Sequence, residues 1–156
     1  MKHIILFILL VSYFNAFHYA QTQSILEELS QKSDLIITGN VTKVISRWDA
    51  NKARIWTYIT IVPTEYLKGT KSTNEITIKI IGGKVGDITM DVSGVPKFNS
   101  NEQTFLFLKK RPDGNYTVFD WHNGKYTLTN DYWMNKETRF PKMFFIQRIK
   151  SLNKSK

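Results

Sequence analysis

The chain has no cysteine. That excludes disulfide staples, thiol nucleophiles and thiolate metal sites, so packing alone must hold the fold. Histidine is almost as scarce, with three in 156 residues, and His3 and His18 fall within the first twenty. A zinc site takes three or four ligands, and the remaining pair Asp120-x-His122 is too small a set to supply one. No Gly-x-Ser-x-Gly elbow, phosphate loop or zinc-protease signature occurs. Asp87 and Asp91, four apart, would make at most a weak calcium site, and two solvated carboxylates are the plainer reading. No enzyme activity and no cofactor are therefore expected. A hydrolase centred on His122 is the weakest alternative.

Long apolar runs are also few. Ile4 to Val11 holds eight apolar residues behind a short basic start, fewer than the roughly 20 that cross a bilayer. With Ala16 and Ala20 behind it, this run has the pattern of an export signal cleaved after Ala20. No cysteine follows, which argues against a lipid anchor. The expected location is periplasmic or extracellular. Residues 21–135 would form one domain, and 136–156 a basic tail.

Charge needs to be located before it is interpreted. The net charge is +9, yet residues 136–156 hold seven basic side chains against one acid. Residues 21–135 carry 14 basic and 12 acidic side chains. A nucleic-acid groove wants positive charge on the folded body, so nucleic acid is not the favoured partner.

The body reads as strands separated by turn signals. Residues 24–32 predict a short helix, with Ser24 capping and Glu27 at the capping-box position, plugging an end of the sheet. Residues 35–48 form a long first strand that breaks alternation near Gly39 to Lys43, which predicts a bulge. Residues 54–66 run back with Ile55, Thr57, Ile59 and Ile61 on one face, and 75–81 follow with Ile76, Ile78 and Ile80. The stretch from Gly82 to Leu108 organises the rest. Its glycines and Pro96 predict a chain that bends, crosses over with a fourth strand at 88–92, and re-enters a closed sheet at 104–109. Residues 111–115 predict a turn before a strand at 116–121. Asn123-Gly124 predicts a two-residue hairpin before a last strand at 126–129. About seven antiparallel strands with such spacing point to a small all-β barrel rather than a sandwich. In the tail, Pro141 can start a helix, with Phe145, Ile149 and Leu152 along one face. That helix either docks on the barrel or meets a membrane surface.

Several segments resemble one known group. Asp34 to Val41 leads an apolar run into a Gly-x-Val step, Glu65-Tyr66-Leu67-Lys68-Gly69 ends a long strand, and Glu102 to Leu108 follows a polar turn into the core. In order and spacing these resemble netrin-like and metalloproteinase-inhibitor-like OB barrels, in a cysteine-free exported form. The resemblance implies an OB-like fold over about residues 24–129. It does not carry over the inhibitory mechanism, which uses an N-terminal cysteine that this chain lacks.

What is left for function is binding. Trp48, Trp56, Tyr58, Trp121, Tyr126, Tyr132 and Trp133 are many aromatics for one small domain, most of them expected inside the barrel. Arg47, Trp48, Lys52, Arg54 and Trp56 gather cations and rings at the first hairpin, the expected contact surface. Another protein is the expected partner. A polysaccharide or single-stranded nucleic acid bound by the same hairpin is the alternative.

Overall fold

In the computed structural model, residues 24–70 and 73–154 are described, so the segment expected to be an export signal lies outside the described residues. Helix α1 covers residues 24–32. Ten strands follow: β1 (Leu35–Trp48), β2 (Ile55–Lys68), β3 (Ile76–Ile81), β4 (Gly83–Val85), β5 (Ile88–Met90), β6 (Gln103–Lys110), β7 (Tyr116–Val118), β8 (Lys125–Thr129), β9 (Tyr132–Met134) and β10 (Arg139–Pro141). Helix α2 (Lys142–Lys154) completes the described fold.

Five strands close a barrel in the order β1-β2-β3-β7-β6, with β6 pairing back onto β1. β3 meets β7 in parallel at Ile78 and Tyr116, and the other barrel pairings are antiparallel. This is a small OB-like barrel. The bulge arrives where alternation failed: β1 slips register against β2 between Thr38 and Gly39 and between Val41 and Lys43. Such slips bend a strand and let one 14-residue strand serve two neighbours.

Alternation explains the densest apolar runs. In β1, Leu35 and Ile37 point into the barrel while Ile36 points out. In β6, Leu106 and Leu108 point in while Phe105 and Phe107 point out. Both faces of these segments are covered, so neither shows a polar alternate. The barrel interior is aliphatic, built from residues such as Ile37, Ile59, Ile61 and Ile78, with Phe98 the one buried aromatic in it among the described residues. Of the aromatics expected there, Tyr126 and Trp133 lie outside instead. Phe105, Phe107, Tyr126, Trp133 and Phe145 form a second core between the barrel wall, the extension β8–β10 and the two helices.

The C-terminal helix docks. Phe145, Ile146 and Ile149 are buried, and the Phe145 ring centre lies 4.8 Å from that of Phe105 and 4.7 Å from that of Tyr126. Its basic residues answer acids of the body: Arg148 reaches Glu27 at 3.2 Å and Lys150 reaches Glu65 at 2.6 Å. α1 lies against the same outer core through Leu26 and Leu29 rather than plugging a barrel end. Residue 24 is already helical, so the start of α1 falls outside the described residues. Glu27, expected to cap, turns to Arg148.

Three sequence expectations fail for identifiable reasons. Residues 83–90 do not join the barrel; β4 and β5 pair only with each other as a separate ribbon. Asn123-Gly124 is not a hairpin, because β7 and β8 lie end to end along the same side of β6, interrupted by the loop 119–124. Phe107 joins the two across the gap, its N–H donating to Gly124 and its carbonyl accepting from Phe119. Glycine is required at 124 because a Cβ there would overlap the Phe119 carbonyl oxygen. The tight hairpin lies later, at Asn130 and Asp131, both at positive φ, as a two-residue turn of the I′ kind demands. It launches β9 and β10, which the expected ending at Thr129 left out.

Candidate functional site

The aromatic core covers the outer wall of the barrel along β6 and the first half of β1. The outer wall along the first half of β2, β3 and the second half of β1 stays open. Strand alternation decides which side chains stand on it. Because Ile55, Thr57 and Ile59 are buried, Trp56 and Tyr58 must face outward. Register sets Arg47 opposite Trp56 and Ile45 opposite Tyr58, with Lys79 of β3 on the far side of Tyr58.

These residues stack cations on rings. The Arg47 guanidinium lies 3.9 Å from the centre of the Tyr58 ring. Lys79 Nζ lies 4.8 Å over Trp56, and Arg111, just past β6, lies 5.2 Å over the same indole. Each such contact at an exposed position contributes about 0.5–1 kcal/mol. Asp113 closes the cluster, accepting from Lys79 at 2.9 Å and pairing with Arg111 at 3.5 Å. The Lys79 hydrogen bond is the main reason that the Asp113 carboxyl is pulled down to about 2.

Beside this cluster the barrel seam is loose. β3 and β7 share the single bridge Ile78–Tyr116, and a hollow of about 240 Å³ opens where they diverge. Trp56, Lys79, Arg111 and Trp121 line it. Trp121 sits in the loop 119–124, at positive φ next to Asp120, also at positive φ. A bulky side chain such as Trp121 in that conformation carries strain, a feature that concentrates at functional sites. Trp121 is 46 % exposed and Ile45 43 % exposed, so the face offers apolar surface as well as charge.

Of the five residues expected at the first hairpin, Arg47 and Trp56 belong to this face. Trp48 does not, since it pairs with the buried Ile55 and so stands on the opposite side of the strand. Lys52 and Arg54 are exposed in and beside the turn, and the cation–ring contacts are made by Arg47, Lys79 and Arg111 instead. Tyr58, Lys79, Arg111 and Trp121 were missed as a set. The signal for Lys79 was its outward position between Ile78 and Ile80, but only register places it beside Trp56.

Elsewhere, His122 Nε2 in the loop 119–124 lies 3.6 Å from Oε1 of Glu137, which is in the turn between β9 and β10. Asp87 occupies the turn of the β4–β5 ribbon while Asp91 lies past its end beside Lys97, so the two do not share a strand face. Among the described residues no three His, Asp or Glu side chains gather as metal ligands. No family model matches the chain, and no curated protein matches it.

Proposed function

We propose that this chain is an exported, non-catalytic OB-like module that binds another protein through the open outer face of β1, β2 and β3. The observation that carries this reading is the state of the rings. Trp56 and Tyr58 are already covered by the chain's own cations, which leaves them poorly placed to stack bases or sugars. A flat surface of Trp, Tyr and Arg with half-buried stems is the composition that dominates protein contact energies. Arg47, Lys79 and Arg111 outnumber Asp113, so the partner's facing surface is acidic. The apolar run at residues 4–11 and the resemblance to netrin-like barrels support an exported module of this kind.

Affinity capture with the wild-type chain and with a Trp56→Ala/Arg111→Ala double variant tests it. A partner retained by the wild type and lost by a folded double variant is expected. Equal retention by both, or no reproducible partner, overturns the assignment to this face. The hollow between β3 and β7 favours a second reading. It is lined by Trp56 of β2, Lys79 of β3 and Arg111 of the turn 111–115, on the kind of strand-and-loop face that OB folds use for oligonucleotides and oligosaccharides. Tryptophan fluorescence titrated with single-stranded oligonucleotides and glycans decides between the two: saturable quenching would replace the protein partner.

A further inference from the structure

A different region of the molecule has the form of a small-molecule site. The β4–β5 ribbon and the following segment 91–99 fold over one end of the barrel and leave a cleft of about 320 Å³. Small-molecule sites span roughly 300–1,000 Å³ and are mostly apolar with a few placed polar groups. This cleft fits that description: Val44, Ile80, Met90, Val92, Val95 and Phe98 line it. Ile80 and Phe98 belong to the barrel core, so the cleft is a continuation of the interior and not a surface wrinkle.

Only two of its polar side chains, Ser46 and Thr57, are withdrawn from solvent on the wall; the others, Thr89 and Asn99 among them, are exposed. On the wall, Thr57 Oγ1 donates to the Gly82 carbonyl at 2.6 Å. Its only proton is thereby used, so in the 2.8 Å contact between Ser46 and Thr57 the donor must be Ser46. Both hydroxyl protons are spent, and Ser46 is left with acceptor lone pairs. A carboxylate has only acceptors to offer and would meet repulsion there. The backbone at Gly83 presses on this pair: its φ is 130°, and a Cβ would overlap the Ser46 and Thr57 hydroxyl oxygens. The root of the ribbon is thus held against the wall.

The rim has the opposite character. Lys84 and Lys97 both line the opening, and both are exposed. Lys97 pairs with Asp91 at 3.3 Å. Among the described residues Lys84 has no acidic partner. Apolar walls, an acceptor-only hydroxyl pair within and an uncompensated ammonium at the edge define one polarity of ligand. We propose that the cleft binds a small amphiphilic carboxylate, its hydrocarbon body between the ribbon and the barrel wall and its carboxylate at Lys84. A carboxylate is costly to bury without a partner, which keeps the head at the rim and orients the molecule.

The full-length chain is titrated with octanoate and, separately, with octanol, followed by amide chemical shifts. Octanoate should saturate, move the resonances of Val44, Met90 and Val92, and bind at least tenfold tighter than octanol. Lys84→Ala should bring octanoate to the level of octanol while leaving octanol unchanged. Met90→Trp, which places an indole in the cleft from the partly exposed ribbon, should weaken both at least tenfold with an unchanged unfolding midpoint. If that variant unfolds, Val92→Trp takes its place. No saturable octanoate binding, equal affinity for octanoate and octanol, or octanoate binding indifferent to both substitutions would overturn the proposal.

Discussion

The molecule has two hydrophobic cores that share strands and differ in chemistry. Inside the barrel the side chains are aliphatic and mostly β-branched; outside, between wall and helices, they are largely aromatic. The barrel lumen is narrow and lined from every side, so branched side chains of modest reach fill it. The outer space is a wedge between a curved sheet and two helices, and large rings bridge it. Phe105 lies 5.6 Å from Trp133 and 4.8 Å from Phe145 between ring centres, both edge-on, a favoured aromatic geometry. Two adjacent residues of one strand therefore answer different requirements, and the helices attach through rings.

Substitutions can break that comparison. Phe145→Ala in the outer core should cost about 3–5 kcal/mol in urea unfolding. Because β1 and β6 serve both cores, a single transition is expected; two separated transitions would show that the outer layer folds independently. Ile59→Ala in the lumen should cost about 2–5 kcal/mol, toward the lower end because the removed side chain is smaller. A larger loss than Phe145→Ala would reverse the order of the two cores.

A third prediction uses pH. Tyr126 lies in the outer core, and burial pushes its phenol up to about 12, partly offset by a hydrogen bond with Thr138. The fold thus favours the neutral phenol. Above the ordinary value of 10 the unfolded chain gives up its proton while the folded chain keeps it until about 12. The unfolded state then binds fewer protons, so stability falls as pH rises through that window, by about 2–3 kcal/mol in all. Tyr126→Phe should remove this part of the alkaline loss, seen as a shallower slope of stability between those limits.

The smallest effect is expected at the open face. Asp113 is solvent-exposed and its carboxyl is held down mainly by Lys79. What stability it supplies is present above about pH 4 and lost as pH falls toward 2. Asp113→Asn should change the unfolding midpoint little, since surface ion pairs contribute little. It should raise affinity for an acidic partner by freeing Lys79 and Arg111, measured by titrating the captured partner. Weaker binding would mean that Asp113 itself contacts the partner.

Much of the barrel was legible because its strands obey period two. Ile55, Thr57, Ile59 and Ile61, and then Ile76, Ile78 and Ile80, announce a buried face whatever surrounds them. The bulge was legible from the break near Gly39. The β4–β5 ribbon was not, because Ile88 to Met90 alternates as a barrel strand would, and nothing local says that its partner is Gly83–Val85. The hairpin at Asn130-Asp131 was passed over for Asn123-Gly124, where the stronger local signal lost to a strand that continues along β6. At the candidate face, Arg47 and Trp56 are near in sequence and were found together. Lys79, Arg111 and Trp121 come from three other segments and could not be.

The amino-acid order on its own determined the class of fold, the faces of the long strands, the bulge and the amphipathic helix at the end, because these follow from short-range periodicity and backbone sterics. Which core each face joins, which cations reach Trp56, and where the cleft opens were decided only in three dimensions. Register and closure depend on pairings between residues far apart in the chain, and no local pattern encodes their partners.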